Sequence, residues 1–210
     1  EKSMYNSPTD MGVNKAGFAI VDDAAVQEAA RQEIIRRYLR YSCEYKMGFV
    51  DQETVQRVEL LMRELNIDAN ERRVIAGARE AALEAERKQE GHEGIFCGAA
   101  IMLKDGTIIT GHNSPLMHAA SSLVIKAAKH LSDIPQKIHL LPQNIIESIS
   151  KFKEHTLKSK NTSLNLDEAL IALSISAMSN PAAQLAIEKI SALKDCEMHI
   201  THIPTRGDEE

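Results

Sequence analysis

The apolar spacing changes once along this chain, and that change limits the architectures open to it. Up to about residue 90, apolar residues recur every three or four positions, the period of a helix with one buried face. From Ile95 onward, short alternating runs separated by turn residues alternate with helical stretches. Between the two lies "EAERKQEGHEG", charged and glycine-containing, which reads as the linker. The expected organisation is a helical subdomain over 1–91 and an α/β subdomain over 92–210, α+β overall.

In the first part, "DDAAVQEAARQEIIRRYLRYSCEY" places Val26, Ala30, Ile34, Leu39 and Tyr41 near helical spacing, with Asp22 or Asp23 as the N-cap. A second helix starts at Asp51 and carries Val55, Val58, Met62 and Leu65 as one stripe. A third opens at "DANE", a capping box from Asp68 to Glu71, and carries Val74, Ile75, Ala78 and Ala82.

In the second part, "IFCGAAIML", "KDG" and "TIITG" predict a β-hairpin, with Gly106 taking the positive φ of the turn. A helix is expected from Ser114 to Ser132, with Ser114 as cap and Pro115 in its first turn. "KIHLL" predicts a short strand, and Pro142 opens the next helix. "NLDEALIALSISAM" has a capping box from Asn165 to Glu168 and is apolar on nearly all sides. Asn180-Pro181 ends that helix and starts another, and "EMHITHI" alternates as a strand does.

The 210 residues carry a net charge of −5. Phosphate backbones and anionic lipid surfaces are bound chiefly by Lys and Arg, so nucleic-acid and membrane-surface partners are disfavoured. The one basic cluster, Arg31, Arg36, Arg37 and Arg40, reads as a solvated or interfacial helix face. No apolar run approaches the ~20 residues of a membrane span. Three scattered cysteines, with no CxxC pair, predict a reducing cytoplasm and no disulfide framework. The chain starts on Glu1 and ends on charge, and it is expected to be part of a longer protein.

The stretch "TGHNSPLMHAASSLVIKAAKHL" raises one specific chemistry. Zinc-dependent deaminases place His-Ala-Glu at the first crossover helix after a hairpin, and Pro-Cys-x-x-Cys at the next helix start. The corresponding places here read His118-Ala119-Ala120 and Pro142-Gln143-Asn144-Ile145-Ile146. The proton-shuttling Glu and both thiolates are absent, and one histidine cannot hold zinc against water. The layout therefore predicts a cytidine-deaminase-like α/β sandwich lacking the zinc site, with no metal. No G-x-S-x-G elbow, P-loop, H-E-x-x-H or G-x-G-x-x-G occurs.

The loop "YNSPTDMGVNKAG" gathers short polar side chains and glycines, which bring backbone N–H groups together. Thr9, Asp10 and Asn14 are its candidate ligand-binding residues; the simpler reading is an entry loop that caps the first helix.

"SPTDMGVNKAG", "QEIIRRYLRY", "DEALIALSISAMSNPAAQLAIEKI" and "LKDCEMHITHI" resemble a bacterial family of uncharacterised proteins, that of domain of unknown function 1846, in its carboxy-terminal part. The resemblance runs from Tyr5 to about Thr201. It implies an amino-terminal region, absent here, that resembles an α/β nucleotide-binding domain with a glycine-rich "GPGSGK"-type stretch. It also implies a deaminase-like topology for the second part. His112 and His118 are not carried over as functional positions. A non-catalytic carboxy-terminal region is thus expected, serving assembly and small-ligand binding, with the missing amino-terminal domain and further copies of the chain as partners. The alternative is part of a nucleotide-dependent enzyme. No cofactor is expected in this piece; a nucleotide would belong to the longer protein.

Overall fold

A computed structural model of the chain describes residues 22–208. The chain forms two units, Glu1–Arg72 and Arg73–Glu210.

In the first unit, α1 (Asp23–Lys46) and α2 (Gln52–Glu64) pack together, followed by a single 3₁₀ turn at Ala69–Glu71. Both helices start at aspartates. Asp22 accepts from Ala25 N at 2.9 Å and Asp51 from Thr54 N at 2.8 Å, pairing amides that the first turn leaves open. Ile35, Val55, Val58, Met62 and Ile67 form the buried side. The α1 position that reaches the interior is Ile35 rather than Ile34, and Leu65 is half exposed at the end of its stripe. Arg31 grips Glu71 with a shortest contact of 2.7 Å and donates to Leu65 O and Asn66 O, fastening the turn after α2 to α1. The Asp68–Glu71 capping box forms, but it opens the 3₁₀ turn, and the next helix begins later.

The second unit begins with that helix, α3 (Arg73–Lys88). The contact boundary therefore falls before α3 and upstream of "EAERKQEGHEG". The reason lies in the packing of α3 on a three-stranded antiparallel sheet of β1 (Gly98–Met102), β2 (Ile108–His112) and β3 (Glu197–Ile200), in the order β2-β1-β3. Alternate residues of β1 serve opposite faces, as the pleat requires. Ala100 meets Val74 and Ala78 of α3. Ala99 and Ile101 meet Ala119, Leu123 and Ala127 of α4 (Ala119–Leu131). The central strand is thus buried on both faces between two helices. Glycines let the helices come close: a Cβ on Gly98 would strike the backbone of Ala78 and Ala82, and one on Gly111 would lie 2.6 Å from Leu123 N. The hairpin turn is as expected, with Gly106 at φ +85°.

Beyond α4 lie α5 (Gln143–His155), α6 (Leu166–Ala177) and α7 (Pro181–Ile190). Their core contains Ala128, Leu140, Leu141, Ile146, Leu164 and Leu173. The Asn165–Glu168 capping box starts α6, and Asn180 caps α7 with Pro181 in its first turn. Glu168 also binds the buried Lys153 amine at 2.7 Å, tying α5 to the start of α6.

The strand expected at "KIHLL" does not form. Leu140 and Leu141 are buried, but the carbonyls of His139 and Leu140 meet the Asn180 amide, at 3.4 and 3.5 Å, rather than a neighbouring strand. The observed class is therefore α+β with a small antiparallel sheet. The helix expected from Ser114 starts only at Ala119. Ser114 does cap, but it caps a turn, accepting from Leu116 N and Met117 N. The chain from Leu116 to His118 is held by Leu164: Leu164 N donates to Leu116 O and His118 N donates to Leu164 O. That extended pairing keeps the segment out of the helix.

Candidate functional site: the His118–Asp208 pair

His118 stands at the N-cap of α4, in extended backbone, yet its ring caps nothing in that helix. The ring points instead at the last described residue. His118 Nδ1 lies 2.7 Å from Asp208 Oδ2. Asp208 belongs to a 3₁₀ turn, Arg206–Asp208, that follows β3, and its side chain has no exposed surface. The same carboxylate accepts from Thr205 Oγ1 at 2.6 Å and, through Oδ1, from Leu166 N at 2.9 Å. Leu166 is the first residue of α6, so one carboxylate joins the starts of two helices, where helix dipoles favour negative charge. Gly207 makes the approach possible, because a Cβ there would overlap the Asn165 carboxamide.

The hydrogen-bond network assigns the tautomer of His118. Ser163 N is a donor and lies 3.1 Å from Asn161 Oδ1, so that atom of Asn161 is the oxygen. The Asn161 amide nitrogen then faces His118 Nε2, at 3.0 Å. An amide nitrogen only donates, so Nε2 carries the lone pair and Nδ1 the proton, which is donated to Asp208.

Burial pushes the Asp208 carboxyl up; the hydrogen bond from His118, the bond from Thr205, the field of His118 and the bond from Leu166 N outweigh it and hold the pKa at about 2. His202 lies close enough to feel both groups. Burial pushes its pKa down, the Asp208 charge opposes this, and His118 adds to it; its Nδ1 is buried with no partner among the described residues.

An aspartate holding Nδ1–H with Nε2 as a base is the orienting half of a nucleophilic triad. Here, among the described residues, the base faces the Asn161 carboxamide instead of a hydroxyl or thiol. The same bonding bears on whether the deaminase positions could hold zinc. At the deaminase positions His118 has no ring nitrogen left for a metal, Ala120 replaces the proton shuttle, and Gln143 and Ile146 offer no thiolate. These residues do not fit the metal. No three His, Cys, Asp or Glu side chains among the described residues converge on a common point.

Of the positions singled out from sequence, Thr9, Asp10 and Asn14 lie outside the described residues. The basic cluster is ion-paired throughout: Arg31 with Glu71, Arg36 and Arg37 with Glu33, and Arg40 with Glu44. Asp208 and Asn161 were missed by sequence reasoning. Asp208 is 90 residues from His118, and nothing local in "TRGDEE" marks a buried acid. An open groove of about 640 Å³ in the first unit, lined by Tyr38, Glu59, Met62 and Ile67 among others, also borders Glu71, which is already committed to Arg31.

Comparison with known proteins divides the chain near the same place as its contacts do. Residues 70–210 match the model of "Domain of unknown function DUF1846, C-terminal", and residues 1–66 match that of "Domain of unknown function DUF1846, N-terminal". The chain belongs to the DUF1846 family. It is not confined to the family's carboxy-terminal domain, as the resemblance implied, because its first 66 residues match the N-terminal one. It is 46% identical over 211 residues to a UPF0371 protein of Clostridium botulinum (strain Langeland / NCTC 10281 / Type F), covering 100% of this chain and 42% of the relative. A UPF0371 protein of the Alaska E43 / Type E3 strain is 47% identical over 210 residues, with 100% and 41% covered. One of Clostridium tetani (strain Massachusetts / E88) is 43% identical over 210 residues, with 100% and 42% covered. The chain thus spans about two fifths of the length of the curated relatives it matches.

Proposed function

We propose that this chain is a non-catalytic, cytoplasmic part of a longer bacterial protein, serving assembly, with His118 and Asp208 as a structural clasp rather than an acid–base pair. The observation that carries the reading is the engagement of both ring nitrogens of His118, one by Asp208 and one by Asn161. A catalytic histidine keeps one nitrogen for the reacting atoms. The sheet is read as the remnant of a deaminase-like shell. That reading draws on the β1–β2 hairpin, on α4 packed against it with His118 at its start, and on β3 antiparallel to β1. Three free cysteines accord with a reducing compartment. No helix among the described residues is long and apolar enough to cross a membrane. Small-ligand binding by Thr9, Asp10 and Asn14 belongs to the same proposal, with the remainder of the longer protein as partner. A second reading makes the chain part of a nucleotide-dependent enzyme whose phosphate-binding region lies elsewhere; it draws on the share of the relatives that this chain leaves uncovered.

The test is Asp208→Asn in the full-length protein, with thermal melts recorded alone and with a panel of nucleoside triphosphates. The clasp reading expects Tm to fall by roughly 5–10 °C, the equivalent of losing one buried charged partner in a chain of this size. It also expects any nucleotide-induced rise in Tm to be kept. An unchanged Tm with loss of the nucleotide response would make the pair part of a binding or catalytic site.

A further inference from the structure

Both partners of His118 bond the neutral ring, but only one of them can bond the charged ring. Asp208 Oδ2, 2.7 Å from Nδ1, accepts from that nitrogen whether or not the ring carries a second proton, and its negative charge attracts the imidazolium. Asn161 Nδ2, 3.0 Å from Nε2, is a donor, so it fits Nε2 only while that nitrogen keeps its lone pair. The carboxamide is not free to turn. Its Oδ1 accepts from Ser163 N at 3.1 Å and from Ser163 Oγ at 2.5 Å. Rotating it by half a turn would relieve His118 but set its NH₂ against the N–H of Ser163, a residue only 2% exposed. A second proton on His118 therefore breaks either the Asn161 contact or the bond to Ser163 N.

We propose that His118 and Asn161 form a pH-operated latch: the neutral ring holds the loop 157–163, between α5 and α6, against the start of α4, and a second proton on the ring releases it. The held loop binds one proton fewer than the released one, so acid favours release. Loop geometry supports the reading. Lys158, at φ +53°, has a backbone conformation that L side chains rarely adopt, so the loop depends on its contacts to keep its shape. Ser159 N donates to Lys153 O at 2.9 Å and Ser150 Oγ to Thr162 O at 3.1 Å, which fix the loop to α5. The exposed Asn161 side chain ties it to the N-cap of α4. Among the described residues only Asp208 and Asn161 bond the ring. Of the other charged groups around it, Lys158 and Lys160 on the loop and Arg206 beside Asp208 are exposed to solvent. At the start of α6, Asp167 is half-buried and Glu168 is engaged by the Lys153 amine at 2.7 Å. His202, after β3, feels both His118 and Asp208; burial holds its pKa below the ordinary histidine value, so it takes its proton at lower pH than an ordinary histidine. The inference rests on the clasp reading, with Asp208 as the fixed partner and Asn161 as the one that gives way.

The experiment is hydrogen exchange at the Ser163 amide of the full-length protein, wild type and Asn161→Asp, corrected for the intrinsic effect of pH. Histidine rings ordinarily change charge between about pH 5 and 8, so the test spans that interval. In the wild type, protection of this amide should fall roughly tenfold or more on acidification, because release and rotation of the carboxamide both take away its acceptor. Asn161→Asp is nearly isosteric and supplies an acceptor to the charged ring, so protection should be kept or should rise over the same interval. His155, exposed at the end of α5 beside Glu154, is the same in both proteins and cancels in the comparison. Constant protection in the wild type, or an equal fall in both proteins, overturns the latch. Should Asn161→Asp not fold, nitrogen NMR of the His118 ring in the wild type decides. The Nδ1–H tautomer should give way to imidazolium together with the loss of Ser163 protection. An Nε2–H tautomer, a ring neutral throughout, or a charged ring with Ser163 still protected overturns the proposal. A failed latch is read in Ser163 exchange and a failed clasp in the Tm of Asp208→Asn, so the two are told apart.

Discussion

The Asp208 carboxylate lies 2.7 Å from the His118 ring across 90 residues of sequence, and it ties the turn that follows β3 to the N-cap of α4. Around it the last turn, the N-cap of α4 and the first amide of α6 share one buried negative charge. An isolated buried carboxylate would be costly; three donors, from two helix starts and a turn, make it stable.

That charge sets an acid limit on stability. The Asp208 carboxyl is held at about 2 in the folded protein, against an ordinary value of 3.8. A pKa lowered on folding contributes stability that is complete above the unfolded value and disappears as pH falls through the folded one. The contribution should be full above about pH 4 and be lost progressively toward pH 2, a change of about 2 kcal/mol. Glu33, Asp51, Glu71, Glu84 and Asp105 are also held below their ordinary values, by hydrogen bonds from the Arg36 side chain, Thr54 N, Asp68 N, the Lys88 amine and Thr107 N respectively, and they too contribute to acid sensitivity. The difference between wild type and Asp208→Asn therefore isolates this site. In urea melts from pH 6 down to pH 3 the two stability curves should converge; parallel curves would show that Asp208 is not ionised in the fold.

Leu173 and Ile171 are two residues apart on α6 and should answer oppositely. Leu173 is fully buried in the core shared by α4 to α7, and Ile171 is 59% exposed. Leu173→Ala should cost roughly 2–5 kcal/mol through lost burial and a cavity. Ile171→Ala should change stability by less than about 0.5 kcal/mol, the usual range for a surface substitution. Chemical denaturation of both variants measures this, and equal losses would place Ile171 inside.

The close approach of α3 to β1 should depend on Gly98. Its missing Cβ would meet the backbone at Ala78 and Ala82, and backbone cannot swing aside as a flexible side chain can. Gly98→Ala should destabilise by at least about 2 kcal/mol. Gly106→Ala has open space and only a left-handed backbone against it, which costs about 1 kcal/mol. Thermal melts giving the reverse order would mean that α3 stands further from the sheet.

What the sequence determined by itself is local. Asp22, Asp51, Asn165 and Asn180 announce helix starts because a capping side chain needs only the next two or three amides. The hairpin at Gly106 is equally local, as is the alternation that gives β1 two buried faces. What the tertiary structure decided are the choices in which a distant partner competes with local preference. Pairing with Leu164 moves the start of α4 from Ser114 to Ala119, and Asn180 takes the carbonyls that a strand at "KIHLL" would have offered. Packing on the sheet places α3 in the second unit, although its spacing matches the helices before it. The candidate site belongs wholly to this second kind. His118 is one of eight histidines until folding brings Asp208 and Asn161 to its two nitrogens, since hydrogen bonds act over about 3 Å and carry no trace in the order of the residues.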